Sequence, residues 1–275
     1  MYLSQPFRMK NIDLSENQSR VRVVSLLTDV CDYDSAVARV AELVRQKKGG
    51  YVCISTVHMT MEGCDDPAYA AQVNAADMII PDGMPMVWMQ KLQGVKRASQ
   101  VRGTTLMLKL LAFAETNHLT VGFYGGKQEI LDKISARLKK DYPRLKVNYV
   151  YSPPFKFLTV AEEARITENI GNSETDILFV GLGCPKQERW MAQHKNKLQS
   201  VMLGVGAAFD FYAGNVRQSP EWISKIGFEW LFRLTQEPKR LWRRYLILNP
   251  RFIGLALLQL LGLKKFDSNN AETRP

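Results

Sequence analysis

The chain has 275 residues, 46% of them apolar and 10% aromatic, which sets aside disorder and low complexity and fits one large α/β domain or two small ones. A formal charge of +10 admits nucleic acid, an anionic membrane surface or a polyanionic substrate, and its placement is uneven. Arg217 to Lys265 carries ten Lys or Arg against three acids, so +7 of the +10 lies there and the rest of the chain is close to neutral.

Residues 1–20 read as a polar N-terminal extension with no apolar stretch of signal-peptide length, an expectation against export. No run approaches the roughly 20 apolar residues that cross a bilayer. The four cysteines, Cys31, Cys53, Cys64 and Cys184, show no CxxC spacing and read as free thiols in a reducing compartment.

Asp32-Tyr33-Asp34 spells the DxD that can hold a metal on a diphosphate, but Asp34-Ser35 before the amphipathic segment Ser35–Gln46 reads better as a helix cap. A strand is predicted over Tyr51–Val57, followed at its tip by Thr56 and His58. Asp65-Asp66 before Pro67 reads as a loop or cap. A second strand, Met78–Ile80, leads into Pro81-Asp82-Gly83, and Met84, Met86, Trp88 and Met89 beyond it read as packing or an apolar acceptor groove. Helical patterns over Thr104–Thr116 and Lys127–Asp141 flank a strand at Val121–Tyr124 that ends in Gly125-Gly126. Further strands follow at Val147–Tyr151, Ile177–Val180 and Val201–Val205, and His118 and His194 sit in polar helix-end contexts that suggest the surface.

Short, nearly all-apolar strands alternating with helical patterns predict a Rossmann-like open, mostly parallel sheet buried on both faces. The body spans 21–216, with a basic helical appendage at 217–265 and a disordered tail at 266–275. In such sheets ligands bind beyond the carboxyl ends of the strands, and the polar and small residues gather there.

Asp82 is either a turn residue bonding its own backbone or a general base, if an apolar pocket moves its pKa toward neutrality. Gly181–Glu188 is a glycine-rich turn into a helix that Pro185 can open, a start whose free N–H groups suit phosphate. It matches neither GxGxxG nor a Walker loop. Gly181, Gly183, Lys186, Gln187 and Glu188 are candidates there, as is Asp210 after the last strand. No carboxylate or histidine cluster suggests a metal, so Arg, Lys and backbone N–H groups are left to stabilise a leaving diphosphate. In the appendage, Arg233, Arg240, Arg243 and Arg244 interleave with aromatic and apolar residues before the Leu-rich stretch Phe252–Leu263. That composition suits an interfacial membrane anchor and gives nucleic-acid bases little to stack on.

Taken in order, these motifs resemble the WecG/TagA/CpsF family of glycosyltransferases over about Val24 to Leu263. The marks are Ala75-Ala76-Asp77 to Pro81-Asp82-Gly83-Met84-Pro85, Gly125-Gly126, Gly181 to Glu188, Gly204-Val205-Gly206 to Phe209-Asp210, Ala213-Gly214 and Arg217 to Pro220. The resemblance implies inverting transfer of a hexose or N-acetylhexosamine from a UDP-sugar to a polyprenyl-diphosphate-linked sugar. It implies no cofactor beyond the UDP-sugar as co-substrate. Asp82 would be the base, Gln187 would lie near donor or acceptor, and the basic appendage would rest on an anionic membrane at the cytoplasmic face. Thr56 stands where many members carry Asn, which removes an amide fork, and the Val57-His58-Met59 version suggests exopolysaccharide assembly. The rival classes are a membrane-associated assembly factor without catalysis and a nucleotide-binding oxidoreductase. A homo-oligomer is compatible with all of them.

Overall fold

The computed structural model describes residues 19–266 apart from Phe155, Phe157, Glu221, Ser224, Lys225 and Ile226. The expected N-terminal extension, except for its last two residues, and the expected disordered tail beyond Phe266 lie outside the described residues.

Six parallel strands form the sheet: β3 (Gly50–Ser55), β4 (Met78–Pro81), β5 (Thr120–Gly125), β6 (Lys146–Tyr151), β7 (Ile177–Gly181) and β8 (Val201–Gly204), in the order β4-β3-β8-β7-β5-β6. Alternation along each strand divides its apolar residues between two cores. Val52, Ile54, Phe123, Phe179 and Leu203 face one core, against α1 (Tyr33–Gln46), α5 (Gly103–Thr116), α6 (Gln128–Asp141) and α9 (Ala208–Tyr212). Tyr51, Cys53, Tyr124, Leu178 and Met202 face the other, against α2 (Val57–Asp65), α3 (Pro67–Asn74), α7 (Val160–Asn172) and α8 (Lys186–His194). This is the expected open α/β sheet with helices on both faces.

Several elements differ from the sequence reading. β3 stops at Ser55, because Thr56 turns outward and its hydroxyl caps α2 by accepting from Met59 N at 3.4 Å, so Val57 opens a helix rather than closing a strand. The cap of α1 is Asp32, paired with Ser35 in a capping box, rather than Asp34-Ser35. Asp66 caps α3 as expected. β6 is an edge strand and largely exposed, so it is not buried on both faces. His194 is buried, not on the surface: its ring stacks on Trp190 at 4.1 Å and its nitrogens bond Trp190 O and Thr167 Oγ1.

An antiparallel hairpin, β1 (Arg20–Val23) and β2 (Leu26–Asp29), covers the β4 edge. Buried Asp29 accepts from Ile79 N at 2.6 Å and from Arg39 Nη1 at 2.6 Å, which satisfies an edge amide that no strand pairs.

Among the described residues the appendage contains α10 (Glu229–Gln236), α11 (Pro238–Leu246) and α12 (Leu248–Leu260); Pro238 opens α11, and Pro250 lies in the first turn of α12. It does not stand away from the body. Phe252 and Ala256 of α12 bury themselves against Val23, Val24, Met61, Met86 and Met89. Gln259 completes the hairpin turn, accepting from Val24 N and donating to Arg22 O, both at 2.8 Å.

Candidate active site

A cleft with about 660 Å³ of empty space, open mouth included, lies at the carboxyl ends of β3 and β4. The body supplies Thr56, His58, Asp82, Gly83 and Gln100, and the appendage supplies Glu229, Trp230, Arg233, Arg244, Tyr245 and Asn249. Two helix starts open onto the cleft, α2 and α4 (Met84–Leu92), the latter without a side-chain cap. Uncapped N–H groups of that kind favour an anion.

Asp82 is fixed by its backbone. Its N–H continues the ladder to Ser55 O at 3.0 Å, and Gln100 Nε2 donates to its carbonyl at 2.5 Å. Its carboxylate accepts from the amide of Gly103, the first residue of α5. Burial, and then the negative charge of Glu229, push the Asp82 carboxyl up to about 7, while Arg102 and Arg233 pull the other way. A carboxylate tuned to neutrality is what a general base needs.

His58 lies in the first turn of α2, with Nε2 at 3.2 Å from Glu62 Oε1. Burial and the nearby Arg244 hold its pKa down at about 4, so the ring is neutral at pH 7. Its Nδ1 is buried without a hydrogen bond, and so are Nε of Arg233 and Nε of Arg244. Burial lowers the pKa of Arg244, whose charge is further opposed by Arg233 and Arg240. Three buried polar atoms without partners around one cleft are unusual in a protein interior. Two guanidinium groups together demand negative charge, and an oxygen-rich anion satisfies both. Trp230 and Tyr245, with ring centroids 5.9 Å apart, form an aromatic wall beside them.

The structure thus gathers Thr56, His58, Asp82, Gly83, Arg233 and Arg244 and leaves the other predicted residues outside this lining. Arg240 and Arg243 are exposed on α11. Lys186 is exposed at the start of α8, while Gln187 and Glu188 are buried. Gln187 accepts from Gly183 N at 3.2 Å and donates to Glu188 Oε1 at 2.7 Å, and Tyr69 donates to Glu188 Oε2 at 3.2 Å. This pair therefore braces the 181–188 turn from beneath. Gly125 and Gly181 serve close packing: a Cβ on Gly125 would stand 2.7 Å from the Gly181 carbonyl carbon, and one on Gly181 would stand 2.5 Å from the Phe209 ring. Gly126 and Gly183 adopt left-handed backbone beside them. Asp210 is half-buried at the start of α9, near Arg240, Arg233 and Lys127.

Sequence reasoning missed Gln100, Glu229, Trp230, Tyr245 and Asn249. Gln100 had one signal, its place between the β4 tip and the start of α5. Trp230 and Tyr245 stand out only as aromatic residues among the appendage arginines, and nothing local marks Glu229 or Asn249.

The open parallel sheet presents a carboxylate and two guanidinium groups over one strand-tip cleft, a set of groups that can serve base catalysis and anion binding. The chain belongs to the glycosyl transferase WecG/TagA/CpsF family, whose sequence model matches residues 21–266, and it is a glycosyltransferase. An N-acetylglucosaminyldiphosphoundecaprenol N-acetyl-beta-D-mannosaminyltransferase of Bacillus spizizenii is 31% identical over 213 residues, covering 77% of this chain and 80% of the relative. Enzymes of the same description from Bacillus subtilis and Staphylococcus aureus are 26% identical over 81% of this chain and 85% of theirs, and 30% identical over 64% and 68%, respectively.

Proposed function

We propose that the enzyme moves a hexose or N-acetylhexosamine from a UDP-sugar onto a sugar carried on polyprenyl diphosphate, with inversion. The observation that carries this reading is the joining of Asp82 to Arg233 and Arg244 across one cleft. The Asp82 carboxylate takes the proton of an acceptor hydroxyl as that oxygen bonds the anomeric carbon. The bond from that carbon to the β-phosphate oxygen breaks, and its electron pair leaves with UDP. Arg233, Arg244 and the starts of α2 and α4 take up the developing diphosphate charge without requiring a metal. Neutral His58 can hydrogen-bond donor or acceptor through Nδ1. The names of the relatives favour an N-acetylhexosamine donor and an acceptor bearing N-acetylglucosamine, while Val57-His58-Met59 keeps exopolysaccharide assembly as the setting to test first.

The outer side of the appendage supports work on a membrane-bound acceptor at the cytoplasmic face. Trp242, Leu246, Ile253, Leu257 and Leu261 are exposed beside Arg240, Arg243, Lys264 and Lys265. No helix among the described residues is long and apolar enough to cross a membrane. The testing experiment is a panel of UDP-sugars scored by protection against thermal unfolding, followed by transfer to N-acetylglucosamine on a short prenyl diphosphate. Protection by no UDP-sugar and none by UDP would reject the reading.

A further inference from the structure

The appendage brings an acid into the cleft as well as two bases. Glu229 opens α10, and its Oε1 lies 3.3 Å from Nη2 of Arg102, 127 residues earlier in the chain. Arg102 directly precedes Gly103, whose amide donates to Asp82, and the Arg102 N–H is tied to the Tyr33 hydroxyl at 3.0 Å. The cation best placed to neutralise Asp82 is therefore engaged by a second carboxylate that lines the same cleft. Helix-start preference alone accounts for an acid at this position. It does not account for that acid reaching an arginine of the body beside the base.

We propose that Glu229 is a positioning residue for the transfer: seated on Arg102, it draws that guanidinium away from Asp82 and sets a second negative charge beside the base. Asp82 then accepts protons at neutral pH only while α10 is docked. This rests on the reading of Asp82 as the base. Among the described residues, the charged and titratable groups around Asp82 are Arg102 before α5, Glu229 and Arg233 on α10, Tyr33 on α1, and His58, Arg244 and Tyr245 across the cleft. His58 is neutral and adds no charge near pH 7. The two guanidinium groups named against Asp82, Arg102 and Arg233, favour its ionised form, and Glu229 alone among these groups disfavours it. Loss of the Glu229 charge and release of Arg102 act in the same direction, toward a lower Asp82 pKa and a weaker base.

The test is a carbon-13 NMR titration of aspartate carboxyl signals in the full chain, with the Asp82 signal identified by its loss in Asp82→Asn. In the parent that signal is expected to titrate near 7. In Glu229→Gln it is expected about one pH unit lower or more, the usual scale for a neighbouring like charge. Glu229→Ala removes the same charge and has the same expected shift, should the Gln variant not fold. Glu229→Asp, which keeps the charge, is expected to restore part of the shift. An Asp82 signal titrating at the parent pH in a folded Glu229→Gln or Glu229→Ala protein would overturn the inference. A purely structural role for Glu229 would lower turnover without moving that titration. Near-normal turnover in Asp82→Asn would instead remove the base reading and leave the titration result standing.

Discussion

Replacing Phe252 by Ala tests how firmly the appendage is held. Phe252 is 3% exposed and sits on Val23, Val24, Met61, Met86 and Met89. Truncation of a buried Phe to Ala costs roughly 3–5 kcal/mol through lost transfer energy and the cavity left behind. α12 is also held by the Gln259 bonds to the hairpin turn and by the bidentate pair of Arg251 with Asp65, at 2.7 and 2.5 Å. The side chains of that pair are 41% and 55% exposed, and pairs of that kind contribute under ~1 kcal/mol. The apolar contact therefore outweighs the ion pair. For a chain of this size each kcal/mol moves Tm by about 2–4 °C, so Phe252→Ala should lower Tm by roughly 6–20 °C, against a few degrees for Arg251→Ala. Hydrogen exchange at the Val24 amide, which bonds Gln259 on the same helix, should accelerate in parallel. UDP affinity should fall as well, because α11 with Arg244 packs against α12. A Tm within about 2 °C of the parent, together with unchanged exchange at Val24, would refute this reasoning.

Asp82→Asn should keep the fold and UDP binding while lowering turnover by ~100-fold or more, as measured by release of UDP with saturating donor. In the parent, kcat/KM should rise with pH through about 7, because Asp82 must lose its proton before it can act; a flat profile from pH 5.5 to 8.5 would count against the assignment. Activity should survive EDTA, since Arg233 and Arg244 are placed to meet the diphosphate charge; full loss restored by Mg²⁺ would reassign that role. The paired change Arg240→Glu and Arg243→Glu reverses exposed charges without entering the cleft. At ~1 kcal/mol for each basic residue near an anionic surface, it should weaken sedimentation with phosphatidylserine vesicles by tenfold or more; equal sedimentation would mean that the apolar face alone does the binding.

Much of the sheet was legible because its strands are buried on both faces, and such strands read as unbroken apolar runs. The same criterion hid what is buried on one side only. The β1–β2 hairpin alternates Arg20, Arg22 and Thr28 with its apolar residues, and β6 shows an exposed face of Val147 and Val150 that passes for core in sequence. The run Val52 to Met59 contains a strand and a helix with only the Thr56 hydroxyl to divide them. His194, between Gln193 and Lys195, has polar neighbours along the chain and aromatic ones in space. At the site, Asp82 stood out as a carboxylate at a strand tip, but the local sequence left a turn role open and the base role came from the family resemblance. Glu229 did not stand out, since one of three acids among ten bases looks like dilution until the fold sets it against Arg102. Gln187 drew attention through its motif, and the fold gives it a bracing position beneath the turn.

The bond from Val24 to Gln259 joins residues 235 positions apart. Val24 also holds a left-handed backbone, φ 54°, an unfavourable conformation for a β-branched residue that the finished contact must offset. During synthesis at about 5–20 residues per second, roughly 10–50 s separate the emergence of the two partners. For that interval the hairpin turn has no partner helix, and Val23, Met61, Met86 and Met89 lack their apolar cover. The sheet can assemble meanwhile, because its last strand ends at Gly204. The cleft cannot, because Glu229, Arg233 and Arg244 arrive with the final stretch of chain. A nascent chain thus carries Asp82 long before the residues that complete the cleft around it, and segments far apart in sequence close together as the fold is finished.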